Sequence, residues 1–178
     1  MLVEVKVQSL GLERSTNQPV LILQELDGDR ILPIYIGPAE ASAIAMHLAA
    51  MEFSRPLTHD LLVSVLTGLG GTVHKVIITK VEKMTYFAEL IVRRNGQVFS
   101  VDARPSDSIA VALRVEASIF VHESLLEQAS VEIADDDTAQ QIEEGYPSPR
   151  DVSEPMGPEE LEAYLRKLNP EDFGRFNP

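Results

Sequence analysis

Three extended segments separated by turn signals come before any helical pattern, and that order constrains the fold more than any other feature of the chain. Leu2–Leu12 alternates, with Leu2, Glu4 and Lys6 on one face and Val3, Val5 and Val7 on the other, which predicts a strand. The turn-rich run from Glu13 to Pro19 leads to a second strand over 20–26. Asp27-Gly28-Asp29 is the next turn signal, and a third strand over 30–36 returns to complete an antiparallel meander. Gly37-Pro38 opens an alanine-rich helix over 38–51, because a proline at the first helical position gives up no needed N–H. A second helix over 58–69 follows, with Thr58 as its expected N-cap and Gly70-Gly71 as its end. Strands over 72–81, 86–93 and Gln97–Ala103 come next, the last two joined by Asn95-Gly96. A third helix over 105–114 places Ile109, Ala112 and Leu113 on one face, and a short strand over 118–121 and a helical turn near Leu125 close the pattern. Runs of strands without strict alternation with helices predict an α+β fold, an antiparallel or mixed sheet with three main helices.

The 178 residues suit one domain with an appendage, and at 44% hydrophobic content they can fill a substantial core. Residues 1–130 form the expected domain, 131–157 an acidic, proline-rich linker, and 158–178 a short amphipathic helix and tail. Leu161, Leu165 and Leu168 make the stripe of that helix, with acids in its first turn and bases in its last. No stretch approaches the ~18 apolar residues that cross a bilayer, and the N-terminus lacks the layout of a signal peptide. The chain has no cysteine, which excludes disulfides and thiolate metal sites and makes a reducing cytoplasm the expected compartment.

The net charge of −13 is unevenly spread. Through Gln128 there are 11 Lys and Arg against 15 Asp and Glu, and beyond it 4 against 13. Such a global field opposes polyanions, so any phosphate must be met by a local cationic site on the nearly balanced domain.

Four polar groupings could carry chemistry. Glu40 stands in a first helical turn, where the helix dipole alone accounts for a carboxylate. Arg55-Pro56-Leu57-Thr58-His59-Asp60 puts a titratable base and a carboxylate at a helix start, with helix capping as the ordinary explanation. Val101-Asp102-Ala103-Arg104-Pro105-Ser106-Asp107-Ser108 is the densest polar run. There Arg104 could grip a phosphate bidentately, while Asp102 and Asp107 could hold a divalent cation or orient water. Its ordinary explanation is an Asp–Arg ion pair with a Ser or Asp cap. The fourth grouping, His74, Lys75, Lys80, Lys83, Arg93 and Arg94, reads as scattered cations on solvated strand faces. Walker-type phosphate loops, GxGxxG, HExxH and GxSxG are all absent.

Three of these junctions together resemble the bifunctional nuclease family: Ile36-Gly37-Pro38-Ala39-Glu40-Ala41, Arg55 through Leu61, and Asp102 through Arg114. The resemblance covers about residues 1–130 in the right order and spacing. It implies an α+β domain that self-associates and hydrolyses phosphodiester bonds of DNA or RNA with low sequence specificity, assisted by Mg²⁺ or Mn²⁺. On that expectation His59, Asp60, Asp102, Asp107 and Glu40 are the catalytic candidates. Arg55, Arg104 and Ser106 would bind substrate, and Asp102 and Asp107 would hold the metal. The competing expectation is a non-enzymatic oligomeric scaffold or a regulator that binds a small ligand or anion, which the acidic balance favours.

Overall fold

The computed structural model describes residues 1–13, 16–129 and 131–132. Of the linker expected over 131–157, Val131–Glu132 instead pair with the third strand of the sheet, and the rest, with the expected C-terminal amphipathic helix, lies outside the described residues. Strands β1 (Leu2–Leu12), β2 (Pro19–Glu25) and β3 (Arg30–Tyr35) form the antiparallel meander that the turn signals predict. Helices α1 (Pro38–Leu48) and α2 (Thr58–Gly68) follow. Then come β4 (Gly71–Glu82), β5 (Thr85–Arg94), β6 (Gln97–Ala103), α3 (Pro105–Val115), β7 (Ser118–His122), α4 (Glu123–Ala129) and the two-residue β8 (Val131–Glu132).

The strands make one mixed sheet in the order β6-β5-β4-β7-β1-β2-β3-β8. Among the described residues the one parallel pair is β4 with β7, so β7 slots between the meander and the β4–β6 group and unites them. That long-range insertion makes the fold α+β with a mixed sheet. The β5–β6 hairpin turns through Asn95 and Gly96, with φ of 50° and 76°, the paired left-handed residues of a two-residue type I′ loop.

The larger core lies between the sheet and the helices. Leu21, Leu23, Leu32, Ile34, Val76 and Ile78 from the strands meet Ile44, Ile109, Val111 and Leu126 from the helices, all buried. The β2 run is apolar on both faces: Val20 and Ile22 join Ile31 and Tyr35 in a second, smaller cluster. That double burial explains why the run Val20-Leu21-Ile22-Leu23 shows no polar alternation. Helix α3 is the most buried of the four, from Pro105 and Ser106 through Ala112, whereas α2 has no fully buried residue and docks only through partly buried Val63 and Leu66.

Helix ends differ from the pattern-based reading in two places. α1 stops at Leu48 because Ala50 turns left-handed at φ 50°, and Met51 N–H then reaches back to the Met46 carbonyl. An alanine-rich stretch carries no side-chain signal for that stop. α2 is capped by Leu57, not Thr58: the Asp60 carboxylate accepts the Leu57 N–H at 2.8 Å, which leaves Thr58 as the first helical residue. The helical turn expected near Leu125 is a full fourth helix.

Candidate functional site

The first turns of α1, α2 and α3 meet in one polar seam. The chain enters α1 through Gly37 in an extended conformation, with Pro38 opening the helix. A Cβ at Gly37 would collide with the Glu40 carboxylate, so the bare glycine leaves room for that carboxylate to fold back over the first turn. Glu40 Oε1 there accepts a bond from Arg104 at 2.7 Å. Arg104 occupies the N-cap position of α3, ahead of Pro105, and its Nε donates to Asp107 Oδ2 at 2.7 Å. The second oxygen of Asp107 lies 3.2 Å from His59 Nε2, in the first turn of α2. The result is a continuous chain, Glu40–Arg104–Asp107–His59, contributed by three helices.

The electrostatics follow from these contacts. The His59 hydrogen bond lowers the Asp107 carboxyl below its ordinary value; burial opposes the shift and the Arg104 guanidinium reinforces it. Arg104 is raised above its ordinary value by its hydrogen bond to Asp107, with Glu40 adding to the effect against the opposing pull of burial. Both carboxylates stand at helix N-termini, where partial positive charge favours them. The Arg104 side chain remains 65% exposed, so this guanidinium is presented to solvent.

Asp60 takes a different partner. Its side chain meets the Arg114 Nε and the Leu57 N–H, and Arg114 extends further to the carbonyls of Ala110 at 2.9 Å and Ala43 at 3.3 Å. Only 7% exposed, Arg114 ties α1, α2 and α3 together from within. Burial alone would raise the Asp60 carboxyl, but the Arg114 and Leu57 hydrogen bonds and the charges of Arg114 and His47 outweigh it and lower it. Adjacent residues on a helix point in different directions, so His59 meets Asp107 while Asp60 meets Arg114.

The structure thus brings together Glu40, His59, Arg104 and Asp107, with Asp60 beside them. It does not bring Asp102 into the seam. In β6, Phe99 and Val101 pair with Val92 and Leu90, whose side chains are in the core, so Asp102 pairs with Glu89 on the opposite face of the sheet. Asp102 is exposed there. Ser106 is buried within α3. Arg55 is exposed ahead of α2, with no ion-pair partner among the described residues. Arg114, the arginine that assembles the helices, was not a candidate from sequence. Its signal was an arginine two helical turns beyond Asp107 in an otherwise apolar segment.

The donor set does not fit a resident metal. Glu40 and Asp107 are bridged by the Arg104 guanidinium, which occupies the space between them. Asp102 and Asp107 stand on opposite faces of the sheet. Among the described residues no group of three or more histidine, aspartate or glutamate side chains gathers around one point. A separate cleft of about 480 Å³ lies between the α2–β4 connection and the β5–β6 hairpin, lined by Gly70, Thr72, Arg93, Arg94, Asn95, Gly96 and Val98. It offers cations without a carboxylate or histidine in its lining.

The bifunctional nuclease domain model matches residues 21–134, which hold all three junctions of the seam. The uncharacterized protein Rv1829 of Mycobacterium tuberculosis is 41% identical over 170 residues, 96% of this chain and 97% of that protein. The chain belongs to the bifunctional nuclease domain family. Bifunctional nuclease 2 of Oryza sativa subsp. japonica is 29% identical over 122 residues, 66% of this chain but 38% of the plant protein. Bifunctional nuclease 1 of Arabidopsis thaliana is 28% identical over 111 residues, 60% of this chain and 34% of its own length. This family member therefore spans little more than a third of the named plant nucleases, while it matches the mycobacterial protein nearly end to end. Among the described residues no helix is long and apolar enough to cross a membrane.

Proposed function

We propose that the chain is a phosphodiester hydrolase of low sequence specificity acting on DNA or RNA, as a homo-oligomer in the cytoplasm, through the seam at the three helix starts. The observation that carries the reading is the exposed Arg104 guanidinium, held between Glu40 and Asp107 beside a histidine that Asp107 orients. Arg104 has the planar donor pair that suits a phosphate, and exchanging one carboxylate partner for a phosphate leaves it charged and bonded. Asp107 accepts from His59 Nε2, which leaves Nδ1 as the ring atom able to take a proton from water. The water oxygen then bonds to phosphorus, the ester P–O bond breaks, and the departing alkoxide takes a proton from solvent. No step is routed through a metal, since both carboxylates of the seam are already bonded to Arg104; the family names of the plant relatives support the reaction class.

The test uses the purified full chain on single-stranded and duplex DNA and RNA, with Mg²⁺, with Mn²⁺ and with chelator. An Asp107→Asn, Arg104→Ala double variant is assayed beside it. Cleavage lost in the variant with its circular dichroism unchanged supports the site. Cleavage unchanged in the variant removes it, and activity present only with added metal replaces the histidine-based step by one that Mg²⁺ or Mn²⁺ supplies. A regulator that binds a phosphate-bearing ligand is the second reading. It is favoured by the internal pairing of every charged group in the seam and by the net charge of −13. Saturable binding of a nucleotide without turnover is its signature.

A further inference from the structure

Among the described residues β6 is an edge strand, bonded to β5 on one side only. Natural edge strands are protected by lysines, prolines, bulges or shortness. Over its seven residues, Gln-Val-Phe-Ser-Val-Asp-Ala, β6 has one charge, no proline and an unbroken register with β5. Val98, Phe99 and Val101 are 45 to 60% exposed, Phe99 and Val101 on the helix side of the sheet and Val98 on the other. Exposed apolar side chains on both faces of an edge without lysine, proline or bulge mark an interaction surface.

The hairpin geometry states which groups of β6 are unpaired. A two-residue loop makes its flanking residues, Arg94 and Gln97, exchange both backbone bonds, and hydrogen-bonded pairs then alternate along the ladder. Gln97, Phe99, Val101 and Ala103 therefore direct their backbone groups at β5. Val98, Ser100 and Asp102 direct theirs outward. Three outward residues centred on Ser100 form a self-complementary set under a twofold axis.

We propose that a second copy of this chain pairs antiparallel along β6 with Ser100 on the dyad, so that the two sheets become one. In that register Ser100 meets its own copy, Val98 meets Asp102, and Phe99 meets Val101 on the helix side. Charge selects this occupant. On the other face of the sheet, β5 and β6 carry Glu89 and Asp102 at one end and Arg93 at the other. Antiparallel self-pairing sets the acidic end of each copy against the basic end of its twin, two strands from Asp102 to Arg93, within the span of an arginine side chain. A parallel arrangement would set like charges together. The assembly uses no residue of the Glu40–Arg104–Asp107–His59 seam and stands whether or not the chain hydrolyses phosphodiesters.

The full chain tests this directly because it contains no cysteine of its own. Ser100→Cys, on the dyad, is expected to cross-link nearly completely to a covalent dimer under mild oxidation, at a strand-pair Cα spacing that suits a disulfide. Glu127→Cys on α4 is expected to stay at the mass of one chain. By light scattering the wild type is expected at twice its 19.6 kDa, and a Val98→Lys, Val101→Lys variant at 19.6 kDa with unchanged circular dichroism. A wild type that stays monomeric at tens of micromolar overturns the proposal. So does a dimer that survives the lysine pair, or one in which Ser100→Cys cross-links no faster than Glu127→Cys.

Discussion

His59 and Asp107, separated by 48 residues in sequence, meet at 3.2 Å where the first turn of α2 crosses the first turn of α3. The contact does two things at once. It orients the histidine, and it is one of few ties that fasten α2, a helix with no fully buried side chain. Asp107→Asn keeps the shape and a hydrogen bond but removes the charge that His59 and Arg104 both use. A loss of about 10–100-fold in kcat/KM is expected for any phosphodiester the chain cleaves, with a stability change near ~1 kcal/mol. Parallel kinetics and urea unfolding measure the two separately, and a stability loss large enough to explain the rate would assign the pair a purely structural role.

Arg114 is expected to matter most for folding. Its side chain is buried, bonds Asp60, and reaches carbonyls on α1 and α3. Arg114→Leu strands the Asp60 carboxylate and frees two carbonyls, an expected cost of about 2–4 kcal/mol. Because Asp60 is partly exposed and also bonded to the Leu57 N–H, Asp60→Asn should cost less. Urea midpoints of the two variants give the ranking, and equal losses would refute it.

Acid sensitivity follows from the lowered carboxyls. Asp60 and Asp107 both lie below their ordinary value of 3.8, and Glu25, hydrogen-bonded by Arg30, lies below 4.5. A carboxyl lowered on folding contributes stability that is fully present above its unfolded value and is lost as pH falls through the folded one. The melting temperature should therefore hold, as far as these groups decide it, from neutrality to about pH 4–5 and fall steeply below. Asp60→Asn should flatten the acid limb, as scanning calorimetry between pH 2.5 and 7 would register. An acid limb unchanged in that variant would remove Asp60 from the account.

Gly37 supplies space and not an unusual dihedral angle, since its φ is an ordinary −74°. Gly37→Ala pushes a methyl group into the Glu40 carboxylate, the end of a flexible side chain that can move away. The fold should tolerate the change within ~1 kcal/mol, whereas Arg104 loses its Glu40 partner and phosphate-ester affinity or turnover shifts severalfold. Identical activity in wild type and variant would show that Glu40 is idle.

Local chemistry made much of this architecture readable. β1 and β6 begin and end where alternation and the Asn95-Gly96 turn predict, and all three main helices start at the expected Pro38, Thr58 and Pro105. Pairings set by distant packing were not readable. The insertion of β7 between β4 and β1 depends on where α3 lays the chain down, and no residue in 118–122 announces it. The site divides in the same way. Glu40, His59, Arg104 and Asp107 are each polar residues at a helix start, which sequence can identify. Asp102 looked like part of their cluster because it is near Arg104 in the chain, yet strand pleating turns it to the other face of the sheet. Arg114 was hidden by its apolar surroundings, which are the reason it can bridge three helices.

The central claim is that an exposed arginine and an oriented histidine at the junction of three helices carry out phosphodiester hydrolysis. Steady-state kcat/KM on a small aryl phosphodiester, free of any contribution from nucleic-acid affinity, measures it for the wild type, Arg104→Ala and His59→Gln. The expected result is measurable wild-type turnover that drops at least about 100-fold in each variant while circular dichroism and the urea midpoint stay near wild type. Turnover in both variants within twofold of the wild type, or none in the wild type with or without Mg²⁺ and Mn²⁺, would contradict it.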